Sequence, residues 1–343
     1  MAPPFPSFCR VRGDSMRRIL GVWILVLGAV ASAQSASGTK TYQVTGRVLQ
    51  VDGTPFRRAN PVVFLHGAIT PFNASASVGL DGKFKFKKIP PGIYTLAAAV
   101  ARLGELRKTV EVGPGSADAK GNVVADIVFE RTISWESKGT VSAVELSVPE
   151  QAKAEFRRAL DCLSRRDIQG AVARLEKAVE IAPQFAVALN QLGTISYQSG
   201  QYQQAEDYFR TALKQDPDLY APLVNLGGAL LALKRDKEAL ETNLEAVKAN
   251  PGDALAHSQL GKSYYYLGRF DEAEDHLKRA KALDQSHFSF PQIVLMNIYL
   301  KRNQPAEAIA EMEEFLKLHP DSDWVPGIRK ILQATRARLS AKP

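Results

Sequence analysis

Two hydrophobic rhythms divide the chain. From Tyr42 to Glu130, short runs alternate apolar with polar residues between glycines and prolines, which predicts β-strands with one buried face. The runs are Tyr42 to Val51, Pro61 to His66, Ala74 to Gly79, Lys83 to Lys87, Ile93 to Val100, Leu106 to Val112 and Val123 to Phe129. In the fourth, Phe84 and Phe86 fall on one face and Lys83, Lys85 and Lys87 on the other, after a tight turn at Asp81-Gly82. From Ala152 to Ser322 the pattern becomes a helix, a short turn and a second helix, repeated in blocks of 34 residues.

Pro183, Pro217 and Pro251 set that period, and Pro320 stands two periods plus one residue further on. Alanines recur in phase at Ala171, Ala205, Ala239 and Ala308, and Leu-Gly pairs at Leu192-Gly193, Leu226-Gly227 and Leu260-Gly261. Small residues at fixed phase predict close helix crossings. No isolated pair can bury its apolar stripe, so tandem blocks stack, and the last needs a closing element. Asp323 to Leu339 supplies one: Trp324, Ile328, Ile331, Leu332, Thr335 and Leu339 share one helical face.

The second block keeps most of a known pattern, with Leu189, Leu192, Gly193, Tyr197, Gly200, Tyr202, Ala205, Phe209, Ala212 and Pro217. It resembles the tetratricopeptide repeat. Five repeats are counted, 152–185, 186–219, 220–253, 254–287 and 289–322. Departures are Ala159 and Cys162 in the first, Gln285 for the proline of the fourth, and Met296 for the glycine of the fifth. The resemblance implies a right-handed all-α solenoid with no enzymatic activity, no cofactor and no metal, which binds a protein or peptide in its concave groove. The polar and aromatic groove positions it assigns are Asn190, Thr194, Tyr197, Gln198, Ser258, Lys262, Tyr265, Tyr266, Asn297 and Lys301. Chaperone-binding members clamp a terminal carboxylate with a lysine and an asparagine in the first repeat, where this chain has Phe156 and Leu160; that partner is not expected.

The seven strand runs suit an antiparallel, immunoglobulin-like sandwich. The blocks Val44-Thr45-Gly46-Arg47-Val48, Asp52-Gly53-Thr54-Pro55, Asp81-Gly82-Lys83-Phe84 and Pro90-Pro91-Gly92-Ile93-Tyr94 resemble the carboxypeptidase regulatory-like, transthyretin-like domain. That family implies an extracytoplasmic accessory module without peptidase chemistry. The expected order is a signal peptide over 1–33, the all-β sandwich over 40–131, a linker over 132–150, the repeats over 151–322, and a capping helix with tail over 323–343. Trp135, Val141, Val144, Leu146 and Val148 make the linker more apolar than a free tether needs, so it is expected to dock.

Charge and chemistry refine this picture. Arg17 and Arg18 precede an apolar run from Ile19 to Ala31, and Ala31-Ser32-Ala33 precedes Gln34, the pattern of a cleavable secretory leader whose start is either Met1 or Met16. No cysteine follows the run, so a lipid anchor is not expected, and a periplasmic or secreted location is. Removing Arg10, Arg12, Arg17, Arg18 and Asp14 takes the net charge from +8 to 8 − 4 + 1 = +5, a solubility feature that calls for no nucleic acid. Cys162 alone remains, so no disulfide forms within the mature chain. Gly261-Lys262-Ser263 ends like a phosphate loop but lies inside a repeat helix. His66, His257, His276, His287 and His319 show no zinc spacing, though His257 and His276 share a repeat and can meet. Lys83, Lys85, Lys87 and Lys88 form the strongest positive field; it suits an anionic surface or glycan, or simply guards a strand edge. A carbohydrate or cell-wall binding sandwich with the solenoid as spacer is the alternative reading, and exposed aromatics on a strand face would favour it. Amino-terminal sequencing of exported protein should begin at Gln34; a start at Met1 or Met16 would defeat the leader assignment.

Overall fold

The computed structural model describes residues 40–56, 61–100, 104–129 and 146–340. The predicted leader and most of the predicted linker, with Trp135, Val141 and Val144, lie outside them. Eight strands come first: β1 (Tyr42–Gln50), β2 (Val62–Gly67), β3 (Asn73–Ser77), β4 (Lys83–Ile89), β5 (Gly92–Val100), β6 (Gly104–Val112), β7 (Asn122–Val124) and β8 (Ile127–Phe129). They form two four-stranded sheets, one of β4, β1, β7 and β8, the other in the order β3-β2-β5-β6. Alternate residues of both sheets, among them Val44, Phe84, Phe86, Leu65, Leu96 and Val112, meet in one core.

The expectation of a purely antiparallel arrangement needs correction. β7 and β8 both pair with β1 in parallel. The run Val123 to Phe129 breaks at Ala125-Asp126, where the Ala125 amide donates to the Thr45 carbonyl at 2.8 Å and the Asp126 carboxylate accepts from the Arg47 amide at 2.8 Å. The kink presses on β1: a Cβ at Gly46 would sit 2.1 Å from the Ala125 carbonyl oxygen, so only glycine fits.

Among the described residues eleven helices follow: α1 (Glu150–Ser164), α2 (Ile168–Ile181), α3 (Ala186–Gln198), α4 (Tyr202–Gln215), α5 (Tyr220–Ala232), α6 (Asp236–Ala249), α7 (Ala254–Tyr266), α8 (Phe270–Leu283), α9 (Pro291–Lys301), α10 (Pro305–Leu318) and α11 (Val325–Ser340). The first ten are five pairs in the predicted register. Every pair turns through a residue in the left-handed region at one phase: Arg166, Gly200, Lys234, Gly268 and Asn303. Glycine adopts that conformation without penalty; arginine, lysine and asparagine hold it in the other three pairs.

Within a pair, the small residue of the first helix faces a large one of the second. A Cβ at Gly193 would lie 2.5 Å from the Phe209 ring, one at Gly261 2.7 Å from Leu277, and one at Gly227 1.9 Å from Asn243. Asn243 is fully buried and donates to the Ser263 hydroxyl of the next repeat at 3.0 Å. Between α3 and α5, the Asn225 amide donates to Asn190 at 3.0 Å. The linker docks in part: Val148 packs against the first pair, whereas Leu146 is exposed. Pro149 precedes α1 as its N-cap residue.

α11 closes the array through Val325, Ile328, Leu332 and Thr335, with Trp324 and Ile331 half-buried. Leu339, expected on that face, lies in the last turn of α11 and is 45% exposed.

Gly193→Leu should overpack the crossing at Phe209 and cost roughly 1–3 kcal/mol. Gly200 has φ of 78° and nothing within 4 Å of a Cβ, so Gly200→Leu should cost only the left-handed strain, about 1 kcal/mol. Equal urea midpoints for the two variants would refute this crossing geometry.

Candidate functional site

The first helices of the pairs, α1, α3, α5, α7 and α9, line the inner side of the solenoid, and the β-sandwich is seated against it. β3 lies against α1, and β6 supplies Thr109 and Glu111 to the polar bonds with the solenoid's loops. Arg107, Thr109 and Glu111 alternate with Leu106, Val110 and Val112, which enter the sandwich core, so the polar row points away from that core. Asp284, in the loop before α9, accepts from both the amide (3.0 Å) and the hydroxyl (2.7 Å) of Thr109, whose hydroxyl also accepts from the Phe288 amide at 3.3 Å. Asp321, in the loop before α11, accepts from the Gly115 and Ser116 amides at 2.7 and 2.9 Å, while its own amide donates to Glu111 at 3.0 Å. The other Glu111 oxygen faces His319 Nδ1 at 3.4 Å. At the far end, the Gln198 amide donates to the Gly67 carbonyl at 2.9 Å.

The sandwich engages one of the predicted groove residues, and contacts within the solenoid engage several more. Gln198 is taken by Gly67. Ser258, expected on the open face, is fully buried and accepts from the Ser289 hydroxyl at 2.6 Å. Lys262 donates to the Ser289 carbonyl at 2.9 Å; enclosure of its ammonium holds it down at about pKa 8. Asn190 and Thr194 are engaged in the α3–α5 contact, with the Thr194 hydroxyl donating to the Asn190 carbonyl at 2.9 Å. Asn297 is half-buried on α9.

The open remainder is aromatic. Tyr197 and Tyr266 are 38% and 49% exposed. Tyr197 meets Tyr202 edge to face at 5.4 Å, and Tyr266 meets Tyr265 at 5.5 Å. Burial, then the neighbouring Tyr202 and Tyr266, push the Tyr197 phenol up to about 12, so it stays a neutral donor at ordinary pH. The exposed Lys301 places its ammonium 5.3 Å from the Tyr265 ring centre and 5.2 Å from that of Phe270, within cation–π range. Beside Tyr197, a Cβ at Gly228 would lie 2.6 Å from the Gln259 amide nitrogen and 3.9 Å from the Tyr197 hydroxyl, so this glycine lets the Gln259 side chain pack against α5. Tyr202, Phe270 and Gly228 were absent from the sequence assignment. The doubled Gly227-Gly228 was the available signal: one glycine serves the crossing, and the other sits in the inner face.

On the sandwich, a shallow cleft of about 740 Å³ is lined by Thr45, Arg47, Ser75, Lys83, Lys85 and Val124 among others. Arg47 pairs with Asp126 and Lys83 with Asp81, and its one aromatic ring, Phe84, is buried.

His257 and His276 do meet. His257 Nε2 donates to the Pro251 carbonyl at 3.1 Å, which leaves its Nδ1 to accept from His276 Nδ1 at 3.0 Å. His276 also stacks on Tyr264 at 5.7 Å. Among the described residues no group of three or more histidines, cysteines or carboxylates could hold a metal ion, and no helix is long and apolar enough to cross a membrane.

Comparison with known proteins identifies the helical half. Tetratricopeptide-repeat family models match residues 156–220, 196–258, 254–287 and 295–322, so these residues carry tetratricopeptide repeats. Human cell division cycle protein 16 homolog is 29% identical over 116 residues, 31% of this chain and 19% of that protein. The small glutamine-rich tetratricopeptide repeat-containing protein 2 of Mycosarcoma maydis is 31% identical over 119 residues, 35% of this chain and 33% of that one. The chain thus spans no more than a third of these relatives. A thermophilic TPR protein of Thermus thermophilus aligns over 54% of this chain and 99% of its own, at 24% identity and a TM-score of 0.44.

Burial holds both His257 and His276 below the ordinary histidine range. The unfolded chain then takes up protons, below about pH 6.5, that the folded chain refuses. Stability from this pair is complete above that pH and lost as the pH falls. His276→Phe, which keeps a ring on Tyr264, should lose less of its urea midpoint between about pH 6.5 and 5 than the parent; parallel losses would refute the assignment.

Proposed function

We propose that this chain is an exported, non-enzymatic scaffold of the bacterial cell envelope that binds an extended segment of a partner protein on the open part of its solenoid's inner face. Tetratricopeptide-repeat proteins generally mediate protein–protein contacts, and the observation that carries the reading is the exposed surface of Tyr197, Tyr266 and Lys301, with half-buried Tyr265 in contact with both Tyr266 and Lys301. Rigid aromatic rings offer large contact area at small entropic cost, their hydroxyls bond to a partner's backbone, and Lys301 attracts a carboxylate. Export rests on the leader pattern, and the transthyretin-like assignment of the sandwich rests on its four sequence blocks. The glycan reading is the weaker one, since the sandwich cleft has no exposed ring to stack on a sugar.

The test is capture of a partner from envelope extract. Replacing Tyr197, Tyr266 and Lys301 together by alanine should abolish it, because binding energy concentrates in a few aromatic and cationic anchors. Exposed positions of this kind move stability by only about 0.5 kcal/mol each, so helical content and melting temperature should hold. Lys262 is left intact because its ammonium supports the Ser289 loop. A companion variant, Lys85, Lys87 and Lys88 to glutamine, should still capture. If the inner-face variant folds and captures while the lysine variant does not, the sandwich carries the function.

A further inference from the structure

The joint between sandwich and solenoid is built unlike the interior of either. Among the described residues, the hydrophobic cluster of the sandwich draws on residues 42–129 and those of the solenoid on residues between Val148 and Leu332, so none of these clusters crosses the joint. What crosses is polar: Thr109 to Asp284 and Phe288, Gly115 and Ser116 to Asp321, Asp321 to Glu111, and Gln198 to Gly67. Two buried partners in it are under-satisfied. One Glu111 oxygen and both His319 ring nitrogens lack a hydrogen bond, and such groups tax the closed state. Water can replace every one of these contacts when the parts separate, and neither hydrophobic cluster has to come apart. Polar interfaces within a chain permit relative domain motion by default.

We propose that this joint is a latch that opens as a unit, with both parts folded, and that in its closed form β6 braces the Ser289 loop, which withholds the Ser258–Lys262 row from a partner. Phe288 binds Thr109, and the next residue, Ser289, holds both Ser258 and Lys262. The Thr109 contact therefore braces the loop that covers the row. Only the withholding from a partner rests on the reading of the inner face given above; the opening itself does not.

Amide hydrogen exchange on the full chain tests this without any partner, so failure of the capture experiment leaves it standing. In the parent protein, low urea should reveal one common opening for the amides of Thr109, Gly115 and Ser116, easier than the opening that exposes Leu96 of the sandwich core. Asp284→Ala with Asp321→Ala, and separately Thr109→Val, should speed exchange at the joint by about tenfold or more, the scale of a lost charge-assisted bond. Leu96 and Leu230 should be unaffected. Acylation of Lys262 by acetic anhydride should rise in the same variants. A single opening shared by Thr109 and Leu96, or joint exchange unmoved in both variants, would overturn the latch. Faster joint exchange with unchanged Lys262 labelling would overturn the withholding.

Discussion

The close approach of two helices at one small residue is the constraint on which the helical half depends. Gly193 against Phe209, and Gly261 against Leu277, leave no room for a Cβ, so each pair has one crossing and one direction in which to present its next face. The left-handed residue at the turn follows from the same geometry, since the second helix must return along the first. Once pair geometry repeats, the period, the curved inner side and the need for α11 are consequences.

The departures from the pattern matter as much as the pattern. Gln285 replaces a proline, and one extra residue separates the fourth repeat from the fifth. In the structure this irregular stretch is the Asp284–Phe290 loop, with Phe290 in the left-handed region, and it receives Thr109. A regular repeat would have placed a tight turn there.

Much of this was legible in sequence, for physical reasons. Helix pairing announces itself through small residues at fixed phase, and β4 through Phe84 and Phe86 against its lysines. What stayed hidden involved polar surfaces that meet. Arg107, Thr109 and Glu111 read as a solvent face, and nothing local distinguishes a hydroxyl that meets water from one that meets Asp284. For the same reason Gln198, Ser258 and Lys262 looked available for a ligand. Tyr197, Tyr266 and Lys301 lie open where their phase put them. The parallel pairing of β7 and β8 was hidden because alternation reports a strand's faces and not its direction.

Near-identical repeats carry a risk of their own, because any second helix could in principle stack on any first helix, within the chain or from a neighbouring copy. The buried Asn243 limits this. It lies where Phe209 and Leu277 stand in the adjacent repeats, faces Gly227, and needs the Ser263 hydroxyl that the following repeat supplies. Stacked one repeat out of order, its amide would be buried without that partner, at a penalty of roughly 1–3 kcal/mol. A single polar side chain thus acts as an address, giving the third and fourth repeats an order that their apolar surfaces alone would leave degenerate.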